Sequence, residues 1–149
     1  MLNKSLFSSN SDVWSTPDDL FNILDREFHF TLDPASDDFN FKCKNHYTFK
    51  ENGLLQDWSN NNVFLNPPYG KDIYKWIEKS YNEFLYKPNV NVVLLLPVRT
   101  DTRWFHDFIY NKFEIRFLKG RLKFGGSKNS APFPSMVVIM RGDKNNECN

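Results

Sequence analysis

The stretch Val63-Phe64-Leu65-Asn66-Pro67-Pro68-Tyr69-Gly70 joins a short apolar run to a loop with two consecutive prolines. An apolar run of this length, bounded by a turn signal, is typical of a buried strand. Each proline fixes its own φ angle and removes a donor, and it pushes the preceding residue towards extended geometry. We therefore expect a rigid, non-helical loop that projects the Asn66 amide, the Pro67 carbonyl and the Tyr69 ring from a fixed frame.

Helices and strands are predicted to alternate on either side of this loop. Upstream, Thr16-Pro17-Asp18-Asp19 is typical of a helix start with Thr16 as the capping residue, and the alternation over residues 28–32 predicts a strand. Downstream, a helix is expected with Ile73, Trp76, Ile77, Ser80 and Phe84 on one face. The further predicted elements are a strand over 90–96, a helix over 102–110, and strands over 113–118, 120–126 and 134–140.

This alternation predicts an α/β domain with a largely parallel sheet. No helix is predicted between the last two strands, so at least one of them is expected to be antiparallel. In such sheets, ligands bind at the carboxyl ends of the strands. The loops after Leu32 and Leu65 are therefore the expected place for chemistry.

A chain of 149 residues suits one domain, expected here over residues 14–141, with tails at 1–13 and 142–149 and no separate target-recognition domain. No apolar run is long enough for a membrane span, and no signal peptide is evident, so we expect a cytoplasmic protein without a membrane partner. Cys43 and Cys148 are interpreted as reduced thiols. The three histidines show no metal-ligand spacing, and no metal is expected.

Charge is distributed unevenly along a chain whose net charge is only +1. Residues 1–60 carry 5 Lys+Arg against 10 Asp+Glu, whereas residues 99–128 carry 8 against 3. The basic part is compatible with one positive face towards a phosphate backbone, or simply with solvated surfaces. The candidate DNA-contacting residues are Arg99, Arg103, Lys119, Arg121, Lys123 and Lys128, with Phe124 or Phe133 as candidates for stacking on a base.

The loop at Asn66 suits methyl transfer to a planar exocyclic amine such as adenine N6. The lone pair of that nitrogen is delocalised into the ring, so hydrogen-bond acceptors aimed at its two hydrogens favour a more nucleophilic, tetrahedral nitrogen. The Asn66 side-chain oxygen and the Pro67 carbonyl can act as such acceptors, and the Tyr69 ring can stack on the base. A base inside a duplex has to be flipped out before its amine is reached.

Several further segments resemble one family. Together with Asn66-Pro67-Pro68-Tyr69-Gly70 they make the chain from about Trp14 to Val138 similar to the phage-type DNA N6-adenine methyltransferases, which use S-adenosylmethionine. The segments are Trp14-Ser15-Thr16-Pro17, Thr31-Leu32-Asp33-Pro34-Ala35, Trp58, Leu96-Pro97-Val98-Arg99-Thr100-Asp101-Thr102, Gly120-Arg121-Leu122-Lys123-Phe124 and Ala131-Pro132-Phe133-Pro134-Ser135.

The resemblance implies a Rossmann-like methyltransferase domain with helices on both faces of the sheet, acting on double-stranded DNA. It assigns catalysis to Asn66, Pro67, Pro68 and Tyr69, with Asn66 also beside the cofactor. Thr16 and Pro17 would bind the methionine carboxylate of S-adenosylmethionine. Its amino end would be held by Asp33, Pro34 and Ala35, and its adenine would contact Asp57 and Trp58. A phage-encoded enzyme would work in the cytoplasm of its bacterial host.

The chain departs from the family pattern in its cofactor loop, because residues 33–38 contain no glycine. The acidic residue that clamps the ribose has no clear match, and Asn40 and Glu51 are the candidates. Two other activities stay open: the same motif serves methyltransferases acting on RNA adenine or protein glutamine. A catalytically weak DNA-binding protein that retains the fold is a third possibility. Site-specific or relaxed methylation, and a monomer or a homodimer, are equally compatible with the sequence.

Overall fold

The computed structural model describes residues 14–142. The predicted N-terminal tail, Cys148 and all but the first residue of the predicted C-terminal tail lie outside this range. The helices are α1 (Asp18–Phe28), α2 (Ile73–Tyr86) and α3 (Arg103–Phe108), with a 3-10 turn over Gly53–Leu55. The strands are β1 (Asn62–Leu65), β2 (Asn91–Pro97), β3 (Glu114–Phe117) and β4 (Ser135–Met140). None of these helices combines the length and apolar character that crossing a bilayer requires.

The four strands form one sheet in the order β1-β2-β4-β3. β1 pairs with β2 in parallel, whereas β4 pairs antiparallel with both β2 and β3. β1, β2 and β3 therefore point the same way, and β4 is the antiparallel strand expected near the C-terminus. Single parallel bridges from Leu32 to Val63 and from Asp33 to His46 continue the sheet beyond β1. The α/β class is confirmed, while the parallel part of the sheet is smaller than predicted.

The sheet is covered well enough to bury its central strands completely. Every residue of β4 is buried, and so is β2 after Asn91, which explains why both read as continuous apolar runs. α1 packs its Phe21 ring edge-on against Phe64 of β1, with ring centroids 5.1 Å apart. The predicted face of α2 is buried throughout, with Glu83 added to it. These contacts place the carboxyl end of β1 at the edge of the core.

Three local predictions were wrong. Thr16 does not cap α1: the N-cap is Pro17, without a side-chain bond, and the Thr16 hydroxyl is occupied elsewhere. Residues 120–126 form no strand, because Gly120 and Gly126 adopt φ angles of 74° and 81° that interrupt extended structure. The strand predicted over 28–32 is reduced, since α1 extends through Phe28 and leaves only Leu32 to pair with β1.

We expect Phe64→Ala to lower the free energy of unfolding by about 3–5 kcal/mol, because it empties a buried site between α1 and the sheet. The measurement is urea unfolding of the purified protein. Leu55→Ala is the control, since Leu55 is 79% exposed and should change the same quantity by less than about 0.5 kcal/mol. A loss below about 1 kcal/mol for Phe64→Ala would show that α1 does not depend on this contact.

Candidate active site

The carboxyl end of β1, the loop after Leu32 and the segment before α1 meet around one cavity of about 590 Å³. This is within the size range of small-molecule sites. Three of the expected cofactor residues, Pro34, Ala35 and Asn66, line it, and so does Pro68. The other lining residues are Ser15, Ser36, Asp37, Asn40, Tyr47, Thr48, Phe49, Asn52, Gly53 and Trp76.

The Asn66 amide is held by its nitrogen and leaves its oxygen unpaired. Nδ2 donates one hydrogen bond to the Trp14 carbonyl and a second, 3.0 Å long, to the Thr16 hydroxyl. The Asn66 Oδ1 atom is buried and has no hydrogen-bond partner within the described range. Buried polar atoms without a partner are uncommon and call for an explanation. Here the arrangement leaves one fixed acceptor beside the cavity.

The rest of the loop is anchored to the core. Pro67 is buried, and the Tyr69 hydroxyl donates to the Leu95 carbonyl of β2 over 2.9 Å. The Tyr69 ring is 3% exposed and packs edge-on against Phe133, with centroids 5.6 Å apart. Burial raises the pKa of the Tyr69 hydroxyl above its usual range. Tyr69, expected to stack on a base, thus lies inside the protein and ties the loop to β2.

The segment Trp14–Thr16 connects this loop to two others. The Ser15 hydroxyl accepts a hydrogen bond from the Asn40 amide, and the Ser15 carbonyl accepts one from the Gly125 nitrogen at 2.9 Å. Thr16 and Pro17, the expected carboxylate-binding pair, line a second cavity of about 400 Å³. Because Ser15 and Asn40 border both cavities, the two are neighbours.

Asp33 organises its own loop. Its carboxylate accepts hydrogen bonds from the backbone nitrogens of Ala35, at 3.3 Å, and Lys42, at 2.9 Å. Burial raises the pKa of Asp33, while those two bonds and the charges of His46 and Lys42 oppose the rise. The side chain is buried and is not part of the cavity lining, unlike the adjacent Pro34 and Ala35.

Gly53 allows a close contact between its backbone and the glycine-free loop at Pro34. A Cβ atom at position 53 would lie 2.1 Å from the Pro34 carbonyl oxygen, so only glycine fits there without a shift. Trp58 donates from its ring nitrogen to the Gly53 carbonyl over 3.0 Å. Trp58 is fully buried and Asp57 is exposed, with its carboxylate bonded to Ser59. Neither is in the cavity lining, so Trp58 touches the site through Gly53.

Sequence reasoning missed most of the cavity wall. Of the two ribose candidates, Asn40 lines the cavity, whereas Glu51 is bonded to Thr48 and lies outside the lining. Asp37, Tyr47 and Phe49 were not singled out. The Asn52-Gly53 pair is the one local signal, because such dipeptides mark tight turns. The others come together only through tertiary contacts of residues 34–53.

The basic residues singled out in the sequence lie at the surface. Arg99, Arg103, Lys119, Arg121, Lys123 and Lys128 are all exposed. Within residues 14–142, none of the last four forms an ion pair, and the loop from 118 to 134 contains no acidic residue. Phe124 is 2% exposed and packs on Trp14, with centroids 5.4 Å apart. This packing fixes the basic loop next to the segment that holds Asn66.

Neither a reactive cysteine nor a cluster of metal-ligand side chains occurs among residues 14–142. Cys43 is buried, and burial raises the pKa of its thiol to about 12, so it is protonated at neutral pH. No three His, Cys, Asp or Glu side chains of residues 14–142 approach one another as metal ligands would.

An α/β domain with a ligand-sized cavity and a rigid loop at the carboxyl ends of parallel strands is typical of proteins that bind small molecules at that edge of the sheet. Residues 4–148 match the family model of DNA N-6-adenine-methyltransferase (Dam). The chain is 31% identical over 139 residues to the DNA N-6-adenine-methyltransferase of Haemophilus phage HP1 (strain HP1c1), covering 88% of this chain and 79% of that one. It is 32% identical over 114 residues to that of Escherichia phage T1, covering 74% and 46%. The chain therefore belongs to the DNA N-6-adenine-methyltransferase family, which confirms the resemblance seen in the sequence.

Gly53→Ala is expected to destabilise the protein by about 1–3 kcal/mol, because the added methyl group collides with backbone rather than with a mobile side chain. Urea unfolding measures the change. Leu55→Ala, two residues away in the same turn and 79% exposed, is the control and should change the stability by less than about 0.5 kcal/mol. Equal stability of Gly53→Ala and the natural protein would show that Pro34 and Gly53 are not in close contact.

Proposed function

We propose that this enzyme transfers a methyl group from S-adenosylmethionine to N6 of an adenine flipped out of double-stranded DNA. The observation that carries the proposal is the buried, unpartnered Asn66 Oδ1 atom in a rigid loop beside a ligand-sized cavity. Membership of the DNA N-6-adenine-methyltransferase family supplies the substrate class. A phage-type enzyme of this kind would meet its DNA in the cytoplasm of a bacterial host.

The two acceptors would act on the hydrogens of the target amine. Asn66 Oδ1 and the Pro67 carbonyl would each hold one N6 hydrogen, which localises the lone pair on the nitrogen. Both groups are pre-oriented, Oδ1 by the two bonds from Nδ2 and the Pro67 backbone by the proline pair. Orientation fixed before the reaction contributes more than the same groups in water, because no reorganisation is needed. After transfer, N6 releases one proton to solvent.

S-adenosylmethionine would supply an electrophilic methyl group, whose C–S bond breaks with both electrons leaving on sulfur as the N6–C bond forms. The cavity of about 590 Å³ suits this molecule in chemistry as well as size. Its lining combines aromatic side chains, Tyr47, Phe49 and Trp76, with the carboxylate of Asp37. Pro34 and Ala35 border it through a loop that Asp33 holds, and Thr16 and Pro17 border the neighbouring cavity.

We also propose that the domain has a Rossmann-like fold. A Rossmann-like domain would carry helices on both faces of the sheet. It is supported by α2 connecting the parallel neighbours β1 and β2, and by α1 packing on Phe64. In that architecture the loops after Leu32 and Leu65 are adjacent, in agreement with the shared cavity.

The DNA backbone would lie along the basic loop between β3 and β4. Four exposed cations without acidic neighbours in that loop favour phosphate contacts, with Arg99 and Arg103 as further candidates. The loop is attached to the site through Gly125 and Phe124, both of which contact the segment Trp14–Thr16. Trp14 and Phe133, half-buried and packed edge-on with ring centroids 5.2 Å apart, would offer a flipped base an apolar wall near Asn66, with the buried rings of Tyr69 and Phe124 behind them.

Asn66→Ala should reduce adenine methylation by about 100-fold or more, since it removes one preorganised acceptor. The readout is mass spectrometry of DNA, RNA and protein incubated in parallel with the enzyme and S-adenosylmethionine. Asn22→Ala, on the exposed side of α1, is the control and should keep full activity.

Three results would overturn parts of the proposal. Methylated RNA or glutamine in place of methylated DNA would change the substrate class. DNA binding by the natural protein without any calorimetric signal for S-adenosylmethionine would leave a DNA-binding protein without catalysis. Full activity of Asn66→Ala would remove Asn66 from the chemistry.

Replacing both Arg121 and Lys123 by Gln should lower the affinity for DNA by a similar factor whatever the base sequence of the duplex. It should also reduce the slope of log K against log salt concentration by about 2, since two phosphate contacts are lost. Fluorescence anisotropy of labelled duplexes at several salt concentrations measures both effects. The control is Arg26→Gln with Lys44→Gln, two exposed cations in the acidic part of the chain. Equal slopes for the two double variants would place the DNA elsewhere.

A further inference from the structure

Thr16 is close enough to Asn66 to orient it. We propose that Thr16 is a positioning residue for Asn66: its hydroxyl holds the amide nitrogen so that Oδ1 points towards the substrate. The inference rests on the proposed function and deepens it. It also gives Thr16 a task different from the cofactor contact that the resemblance implies. The bond joins Asn66 Nδ2 to Thr16 Oγ1 at 3.0 Å, between residues 50 positions apart in the chain.

An asparagine amide has two orientations of nearly the same shape, and only one of them offers an oxygen to an amine. In the observed orientation, both hydrogens of Nδ2 are used, one by the Trp14 carbonyl and one by the Thr16 hydroxyl. The reversed amide would place Oδ1 against the Trp14 carbonyl, where two acceptors face each other without a proton. Trp14 therefore selects the orientation, and Thr16 takes the second hydrogen that would otherwise be buried unpaired.

The hydroxyl of Thr16 is itself held in place. Pro17 restricts Thr16 to extended backbone conformations, and Ser15 on its other side is bonded to Asn40 and to Gly125. The Thr16 side chain is only 4% exposed and is branched at Cβ, which limits its rotamers. A helix cap would be the ordinary reason for a threonine here, but α1 has no side-chain cap bond. The hydroxyl is thus committed to Asn66 among the described residues.

This geometry separates positioning from cofactor binding. A residue that orients Asn66 acts on the chemical step at saturating substrate and cofactor. A residue that only holds the cofactor acts on its affinity and is compensated by a higher concentration. Thr16→Val keeps the shape and removes the hydroxyl, whereas Thr16→Ser keeps the hydroxyl and loses the branch. The pair distinguishes the bond from the packing.

The test has two parts, of which the first needs no activity. In ¹⁵N NMR spectra of the protein without ligands, the Asn66 side-chain amide is assigned by its loss in Asn66→Ala. We expect its two hydrogens to be protected from exchange in the natural protein and in Thr16→Ser. In Thr16→Val, one of them should lose protection. Unchanged protection in Thr16→Val would show that no bond to Thr16 exists, and would overturn the inference.

The second part measures single-turnover methylation of duplex DNA and the calorimetric Kd for S-adenosylmethionine. For Thr16→Val we expect the maximal rate to fall about 10- to 100-fold with the Kd changed less than about 3-fold, and for Thr16→Ser a rate within about 5-fold of the natural one. Thr31→Val is the control, because it removes a bonded hydroxyl at the amino end of β1.

The outcomes separate the two proposals. A raised Kd with an unchanged maximal rate in Thr16→Val would assign Thr16 to the cofactor and overturn positioning. If Thr16→Ser were as slow as Thr16→Val, the loss of rate would result from packing and not from the hydroxyl. This result would also overturn positioning. Absence of adenine methylation by the natural protein would overturn the proposed function, while the NMR result would still report on the bond.

Discussion

Two hydrogen bonds from the Asn66 amide join the first described residues of the chain to the end of β1. They satisfy Nδ2 and leave Oδ1 buried without a partner. Ser15, between the two acceptors, is bonded in turn to Asn40 of the cavity wall and to Gly125 of the basic loop. One short segment thereby links the Asn66 amide, the cavity and the basic loop, three parts that the proposed methyl transfer to DNA would use together.

The sheet makes this convergence possible. β1 pairs in parallel with β2, and Leu32 pairs in parallel with Val63. The carboxyl ends of these strands therefore lie at the same edge of the sheet. β4 is antiparallel to β2, so its amino end lies at that edge. The basic loop ends at Pro134, directly before β4, and therefore lies at the same edge. Tyr69 then ties the loop at Asn66 to Leu95 of β2. Short loops at the ends of rigid strands thus carry the candidate site residues.

Apolar patterns in the sequence predicted those helices and strands whose formation depends on residues close together in the chain. The strand before Asn66 and the buried face of α2 follow from apolar patterns, and both were confirmed. The antiparallel strand near the C-terminus, expected because no helix was predicted before it, was confirmed as β4. The partners of Thr16 and Gly53 were not predictable, because they lie 50 and 19 residues away in the chain. The strand predicted over 120–126 was wrong for a related reason: its Phe124 ring packs on Trp14, more than 100 residues away in the chain, and not in a sheet.

The contact between Gly53 and the Pro34 carbonyl has a consequence for redesign of the proposed cofactor site. Two backbones meet there without a side chain between them, so no truncation can enlarge the cavity on that side. Phe49, another residue of the cavity lining, is instead 98% exposed. A variant enzyme that accepts methyl-donor analogues with longer alkyl chains or bulkier bases would therefore be built by replacing Phe49 with a smaller residue. The backbone contact between Gly53 and Pro34 would stay unchanged and would limit the position of every such ligand in the same way.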